Sequence, residues 1–190
     1  MGHLRGVSTA PHALARPVFR GFTLPELLVV VAIVGLLAAL AVPALAEAIA
    51  RHRLRAAAGD LLDGLRKARS VAVWRGDETV VCASRDGRSC HPTADWAWGW
   101  IGRARERGDT FASARGPDGR LAALRRGGRH EVRFLPNGTS PGTNQKIVLC
   151  LRGRPATALT VSISNAGLVR LAATDADDAA RCAANRSRTR

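Results

Sequence analysis

Tyrosine is absent from this chain, aromatic side chains make up only 4% of it, and lysine occurs only at Lys67 and Lys146. The formal net charge of +14 is therefore carried almost wholly by arginine. Such a bias, beside so much alanine, is what a GC-rich genome also produces, so the charge permits a polyanion partner without demanding one. No Cys-x-x-Cys pair occurs, which removes the spacing signature of zinc ribbons and thioredoxin-like redox sites. There is no Gly-x-Ser-x-Gly, no His-Glu-x-x-His, no phosphate loop and no dinucleotide fingerprint, so the expectation is a protein that is not an enzyme and needs no cofactor. The histidines at His3, His12, His52, His91 and His130 are scattered. Asp175, Asp177 and Asp178 lie close together, but the glycine and terminal glutamate of an EF-hand loop are missing. Repeats and low-complexity tracts are lacking as well. A length of 190 residues suits one soluble domain and one further element.

That further element is N-terminal. Residues 1–21 hold Arg5, Arg16 and Arg20 and no acid, and from Leu27 to Ala46 no charged residue occurs. Twenty helical residues span about 30 Å, the thickness of a hydrocarbon core. The basic residues before the run are expected to stay cytoplasmic, sending the C-terminal part outward. An ordinary secretory signal would have a shorter apolar stretch and a small-residue cleavage site, which alanine-rich 38–46 can mimic. Glu26 argues against it, because a carboxylate at the start of an apolar span is expensive and marks a functional site by default. Pro25 falls in the first helical turn, where its missing N–H costs little, whereas Pro43 falls inside the helix and is expected to bend or locally melt it.

Beyond Pro43, Leu54, Ala58, Leu61, Leu65, Ala68 and Ala72 recur at three- and four-residue steps, with Arg51, Arg53, Arg55, Arg66, Lys67 and Arg69 between them. This is one face of an amphipathic helix. It predicts a single helix of roughly 50 residues, slightly weakened by Gly59 and Gly64 and ending near Arg75-Gly76-Asp77. Short strands are expected at Val80–Ala83, Trp96–Ile101, Glu131–Leu135, Lys146–Leu151, Leu159–Ser164 and Leu168–Ala172, with turn chemistry between them. Arg103–Arg129 reads as a mobile loop with a short strand near Leu121–Leu124. The fold class is α+β: a long N-terminal helix, its first half transmembrane, packed on an antiparallel sheet. The expected divisions are a leader over 1–21, a transmembrane or filament-core helix over 22–50, its amphipathic half over 51–76, a β-rich head over 77–182 and a basic tail over 183–190.

Cys82, Cys90, Cys150 and Cys182 all follow the apolar run, which suits disulfides in an oxidising compartment. Nearness pairs Cys82 with Cys90, and elimination leaves Cys150 with Cys182. A zinc site on Cys82, Cys90 and His91 is the rival and lacks a second closely spaced ligand pair. Trp96, Trp98 and Trp100 would share one face of a strand, where they either pack on the helix or form a stacking platform for single-stranded nucleic acid. No acid follows Asp178, while Arg181, Arg186, Arg188 and Arg190 do. With Arg170 and the loop Arg152-Gly153-Arg154, they are the candidate phosphate contacts; the alternative is a solvated basic tail disordered beyond Cys182.

Arg20-Gly21-Phe22-Thr23-Leu24-Pro25-Glu26, followed by the unbroken apolar run, resembles the cleavage and methylation motif of type IV prepilins. The resemblance implies cutting between Gly21 and Phe22 by the prepilin peptidase, N-methylation of Phe22, and pairing of Glu26 with the N-terminal amine of a neighbouring pilin or pseudopilin subunit during assembly. The head resembles the FimT/GspH group of minor pilins and pseudopilins. The matching residues are Ala68-Arg69-Ser70-Val71-Ala72, Val80-Val81-Cys82, Trp96-x-Trp-Gly-Trp100, Phe134-x-Pro-x-Gly138, and Val161-Ser162-Ile163-Ser164 with Gly167. That implies a minor pilin anchored in the bacterial inner membrane with a periplasmic head, built into or at the tip of an extracellular pilus. The alternative is a type II secretion pseudopilin that contacts exported proteins. Some FimT-like pilins take up DNA for natural transformation through a C-terminal Gly-Arg-x-Arg. Here Gly167-Leu168-Val169-Arg170 keeps the glycine and last arginine but has Leu168 at the first.

Overall fold

The computed structural model describes residues 23–92, 95–116, 119–142 and 144–185. The leader, with Gly21 and Phe22, and the tail arginines Arg186, Arg188 and Arg190 lie outside the described residues. Two compact units meet after Pro43: Met1–Pro43 and Ala44–Arg190.

A single helix, α1 (Leu24–Arg75), belongs to both. It is unbroken at Pro43, so the local melting expected there does not occur. In the first unit its apolar side chains, from Leu27 through Leu40, all stand exposed. This is the one helix among the described residues long and apolar enough to cross a membrane. In the second unit α1 buries the stripe read from the sequence, Leu54, Ala58, Leu61, Leu65, Ala68 and Ala72, together with Gly64. Gly76 then turns the chain away with φ +65°, the left-handed conformation that commonly ends a helix.

The stripe packs on two antiparallel sheets. The first has the order β3-β2-β1-β5, from β1 (Thr79–Ala83), β2 (Gly99–Ala104), β3 (Thr110–Arg115) and β5 (Glu131–Phe134). The second has the order β4-β6-β7-β8, from β4 (Leu121–Gly127), β6 (Gln145–Leu151), β7 (Arg154–Ile163) and β8 (Val169–Ala172). Side chains alternate across a strand. In β6, Ile147, Leu149 and Leu151 accordingly enter the core shared with α1, while Val148 and Cys150 face the other way. There they meet Cys182 of a short helix, α2 (Ala176–Ala184), bonded to Cys150. Burial on both faces is why Ile147–Leu151 is continuously apolar. Cys82 of β1 is bonded to Cys90 in the following loop.

Three expectations need correction. Arg103–Arg129 is not a loop with one short strand: besides the strand expected near Leu121–Leu124, which is β4, it supplies β3. The tryptophans do not share a strand face: Trp96–Trp98 form a 3-10 turn and β2 begins only at Gly99. The chain before Asn185 is helical as α2. Nine residues are too few for a stable isolated helix. Burial of Ala179, Cys182 and Ala183 holds α2 in place, with Asp177 and Asp178 at its start and Arg181 at its end suiting the helix dipole.

Asp95 ties the 3-10 turn to the second sheet. One carboxylate oxygen accepts from the Ala97 N–H at 3.0 Å and the Ala123 N–H at 3.1 Å. Burial pushes its carboxyl above the usual range, against those hydrogen bonds and the charge of Arg152. A raised carboxyl pKa in the folded state opposes folding above that value, and the penalty fades as pH falls through it. Asp95→Asn is therefore expected to melt at or above the parent temperature at pH 7. Asp95→Ala, which loses both acceptor contacts, is expected to lose about 1–2 kcal/mol. Thermal unfolding at pH 7 and pH 5 checks both, with the advantage of Asn shrinking at the lower pH.

Candidate functional site

At the head of α1 the sequence Thr23-Leu24-Pro25-Glu26 is arranged as a capping box: Ser or Thr, then Glu three residues on. The Thr23 carbonyl accepts the first helical hydrogen bond, from Leu27 N–H at 3.1 Å. The Glu26 carboxylate lies 3.5 Å from the Thr23 N–H, at the outer limit of a hydrogen bond. A negative group there also complements the positive end of the helix dipole. Glu26 thus points back towards the start of the helix, and its exposure keeps it open to a second donor. The helix behind it presents a far larger continuous apolar surface than a monomer in water tolerates, so lipid or other subunits must cover it.

Of the candidate arginines of the head, Arg152 and Arg154 line one groove, but Arg170 and Arg181 do not join them there. Arg154 and Arg170 sit at opposite ends of the β7–β8 pair: Arg170 faces Ser162, eight residues along β7 from Arg154, or roughly 26 Å. Arg154 pairs with Glu47 at 2.6 Å, and Arg181 pairs with Asp177 across one turn of α2. Arg152 donates to the carbonyls of Gly119, at 2.9 Å, and Asn185. Leu168 stands exposed where a Gly-Arg-x-Arg turn would carry its first arginine, so this turn offers Arg170 alone.

Trp96 and Trp100 are buried. Trp98 is half-buried with the Arg85 guanidinium 3.3 Å from its ring centre, so one face of that indole already holds a cation. Asp175, Asp177 and Asp178 are drawn apart into ion pairs with Lys146, Arg181 and Arg126. No group of His, Cys, Asp and Glu suited to a metal occurs among the described residues. Cys82 and Cys90, in the rival zinc reading, are bonded to each other.

Two close approaches account for much of the motif pattern in the head. The Trp100 ring lies directly over Gly64 of α1, where a Cβ would fall 2.0 Å from it. The Gly138 carbonyl accepts from Arg69 Nε at 3.0 Å, and a Cβ on Gly167 would lie 2.0 Å from that same oxygen. Arg69, Gly138 and Gly167, far apart in sequence, thus lock helix, β5–β6 turn and β7–β8 turn together. Gly167, at φ +75°, also needs the left-handed freedom of glycine. The role of Gly64 went unseen in the sequence, although it shares the face of Leu61 and Leu65.

The family described as type II transport protein GspH matches residues 57–167, more than half of the chain. The chain belongs to this family. Ahead of the GspH match, the prokaryotic N-terminal methylation motif matches residues 16–42. Two crystal structures of the type IV minor pilin FimU of Pseudomonas aeruginosa resemble the fold. One, at 26% identity and TM-score 0.53, covers 65% of this chain and 90% of the chain in that crystal structure. The other, at 26% identity and TM-score 0.51, covers 63% and 92%. The minor pseudopilin EpsH from the type 2 secretion system of Vibrio cholerae overlaps at 13% identity and TM-score 0.46, over 63% of this chain and 94% of that one. Comparison with curated proteins finds no match. This GspH-family chain is a minor pilin or pseudopilin, with the long helix and antiparallel head of that class.

Proposed function

We propose that the chain is a minor pilin, held in the inner membrane by Leu27–Ala46 with its head on the periplasmic side, and drawn into a type IV pilus through Glu26. The observation that carries this is the exposed apolar helix headed by Glu26, coinciding with the methylation motif over 16–42. The likeness to FimU favours a pilus over a secretion pseudopilus. Of the arginines named as DNA contacts, Arg170 lies far from Arg154, and Arg154 and Arg181 are already in ion pairs, so DNA capture draws no support from these described residues.

Mass spectrometry of the chain from membranes is expected to find N-methyl-Phe22 at its start. An N-terminus near Ala46 would overturn the reading in favour of an ordinary secreted protein. Glu26→Val is expected to insert normally, since a costly charge near the bilayer has gone. Its incorporation into sheared filaments should fall by well over tenfold, as losing one partner of a buried charge pair costs about 2–5 kcal/mol. Glu26→Gln keeps the capping acceptor and loses the charge, so it should fail likewise. Normal incorporation of the Gln form would reduce Glu26 to a helix cap. Recovery of the chain in pili that persists without the secretion machinery separates pilus from pseudopilus membership.

A further inference from the structure

We propose that the base of the head, where α1 enters it, is a docking surface for anionic phospholipid headgroups. The proposal rests on the membrane-anchored reading above.

Two open grooves, of about 650 and 320 Å³, lie side by side where α1 leaves the apolar run. One is walled by Arg51, Arg55 and the first residues of β7, the other by Arg120 and Arg152, and Glu47 and Arg154 line both. Glu47 is the single acid in either wall. It is already engaged, at 2.6 Å from Arg154 and 3.5 Å from Arg51. Five arginines from three parts of the chain thus line grooves whose walls carry one carboxylate. Elsewhere on the head, Asp109 is matched with Arg75, and Glu78 with both Arg105 and Arg133.

The level of the grooves identifies the anion. Ala46 ends the apolar run and lines the second groove. At about 1.5 Å per residue, Arg51 rises roughly 8 Å beyond Ala46 and Arg55 roughly 14 Å. The headgroup zone adds about 5–8 Å to each side of the hydrocarbon core. Arg51 therefore reaches the phosphates directly, and Arg55 lies within about one Debye length of them. Arginine forks suit phosphate oxygens, and the grooves admit a headgroup between side chains. An arginine belt on the exported flank of a span also runs against the usual preference for cations on the cytoplasmic side, so it needs a use that offsets the cost. Nucleic acid is the other polyanion, but at this level it would have to lie against a bilayer of its own charge.

The test uses the full chain in nanodiscs of phosphatidylcholine alone or of a mixture rich in phosphatidylglycerol. Hydrogen exchange is read over 47–55 and 151–157. Exchange there is expected to be several-fold slower in the anionic discs, with the difference collapsing at high salt. The triple variant Arg51→Gln, Arg55→Gln, Arg120→Gln should lose the difference, at about fivefold in affinity per arginine removed. The corresponding Lys variant should keep it, which separates charge from loss of fold. Equal exchange in the two discs, or a difference that survives the Gln substitutions, overturns the proposal while leaving the anchored reading intact. A chain that enters neither disc overturns both. Protection of these segments by added duplex DNA, in preference to anionic lipid, overturns it in favour of nucleic acid.

Discussion

Gly64→Ala is expected to destabilise the head by about 3 kcal/mol, the upper end of the cost of overpacking a well-filled core. That is a fall of roughly 6–12 °C in melting temperature for a chain of this size. The new methyl would enter the space of the buried Trp100 ring, so ring or helix must shift. The same substitution one turn earlier should have the opposite sign. Nothing lies within 4 Å of a Cβ at Gly59, so Gly59→Ala gains helix propensity alone, about 0.5–1 kcal/mol. Thermal unfolding of the two variants under identical conditions decides the matter. Trp100→Phe is itself destabilising, yet it should rescue part of the loss when combined with Gly64→Ala, and that interaction identifies the clash. Equal melting of Gly64→Ala and Gly59→Ala would show that α1 and β2 are not so closely apposed.

Removing the Cys150–Cys182 bond, by replacing both residues with Ala, should cost about 3–4 kcal/mol. A loop closed across 32 positions restrains the unfolded chain by that amount on the entropic account. Removing Cys82–Cys90, across 8 positions, should cost about 2–3 kcal/mol. The larger loss has a specific structural outcome. The nine residues of α2 cannot stay helical alone, so the back of the second sheet, with Ala122 and Val148, opens to water. Hydrogen exchange should show α2 released while the α1 core stays protected, and the variant should aggregate where the other does not. Free thiols in the parent protein would invalidate both figures.

The sequence made α1 legible because its buried stripe obeys one period over six positions, from Leu54 to Ala72, and a helical face that long has few rivals. Val80–Ala83 and Lys146–Leu151 were legible as β-branched and apolar runs between turn signals. The strand β3 was not, because Thr110–Arg115 is only half-buried at a sheet edge and carries no alternation to read. The break between Trp98 and Gly99 was hidden for a different reason. Three tryptophans at two-residue spacing imitate a strand and mask the lone Asp95, which caps the turn through Ala97 N–H and is held in place by Ala123 N–H of a distant strand. A nine-residue alanine-rich segment such as α2 takes its shape from the sheet and the disulfide that hold it, and neither is local. In the candidate site, Glu26 stood out through its cost in an apolar run. Arg152 and Arg154 also stood out, but their grouping with Arg51, Arg55 and Arg120 did not, since it forms only after the chain has folded.

The outward-facing apolar length of α1 has a consequence for traffic between membrane and fibre. Acyl chains and the helices of neighbouring subunits solvate leucine about equally well. Moving the helix from one to the other therefore exchanges one oil for another, and the hydrophobic term, though large against water, nearly cancels between the two ends. The balance is left to small polar differences, with a lone carboxylate among the largest. For such a helix the apolar surface itself favours neither bilayer nor helical fibre core strongly, and the direction of transfer is left to the polar groups.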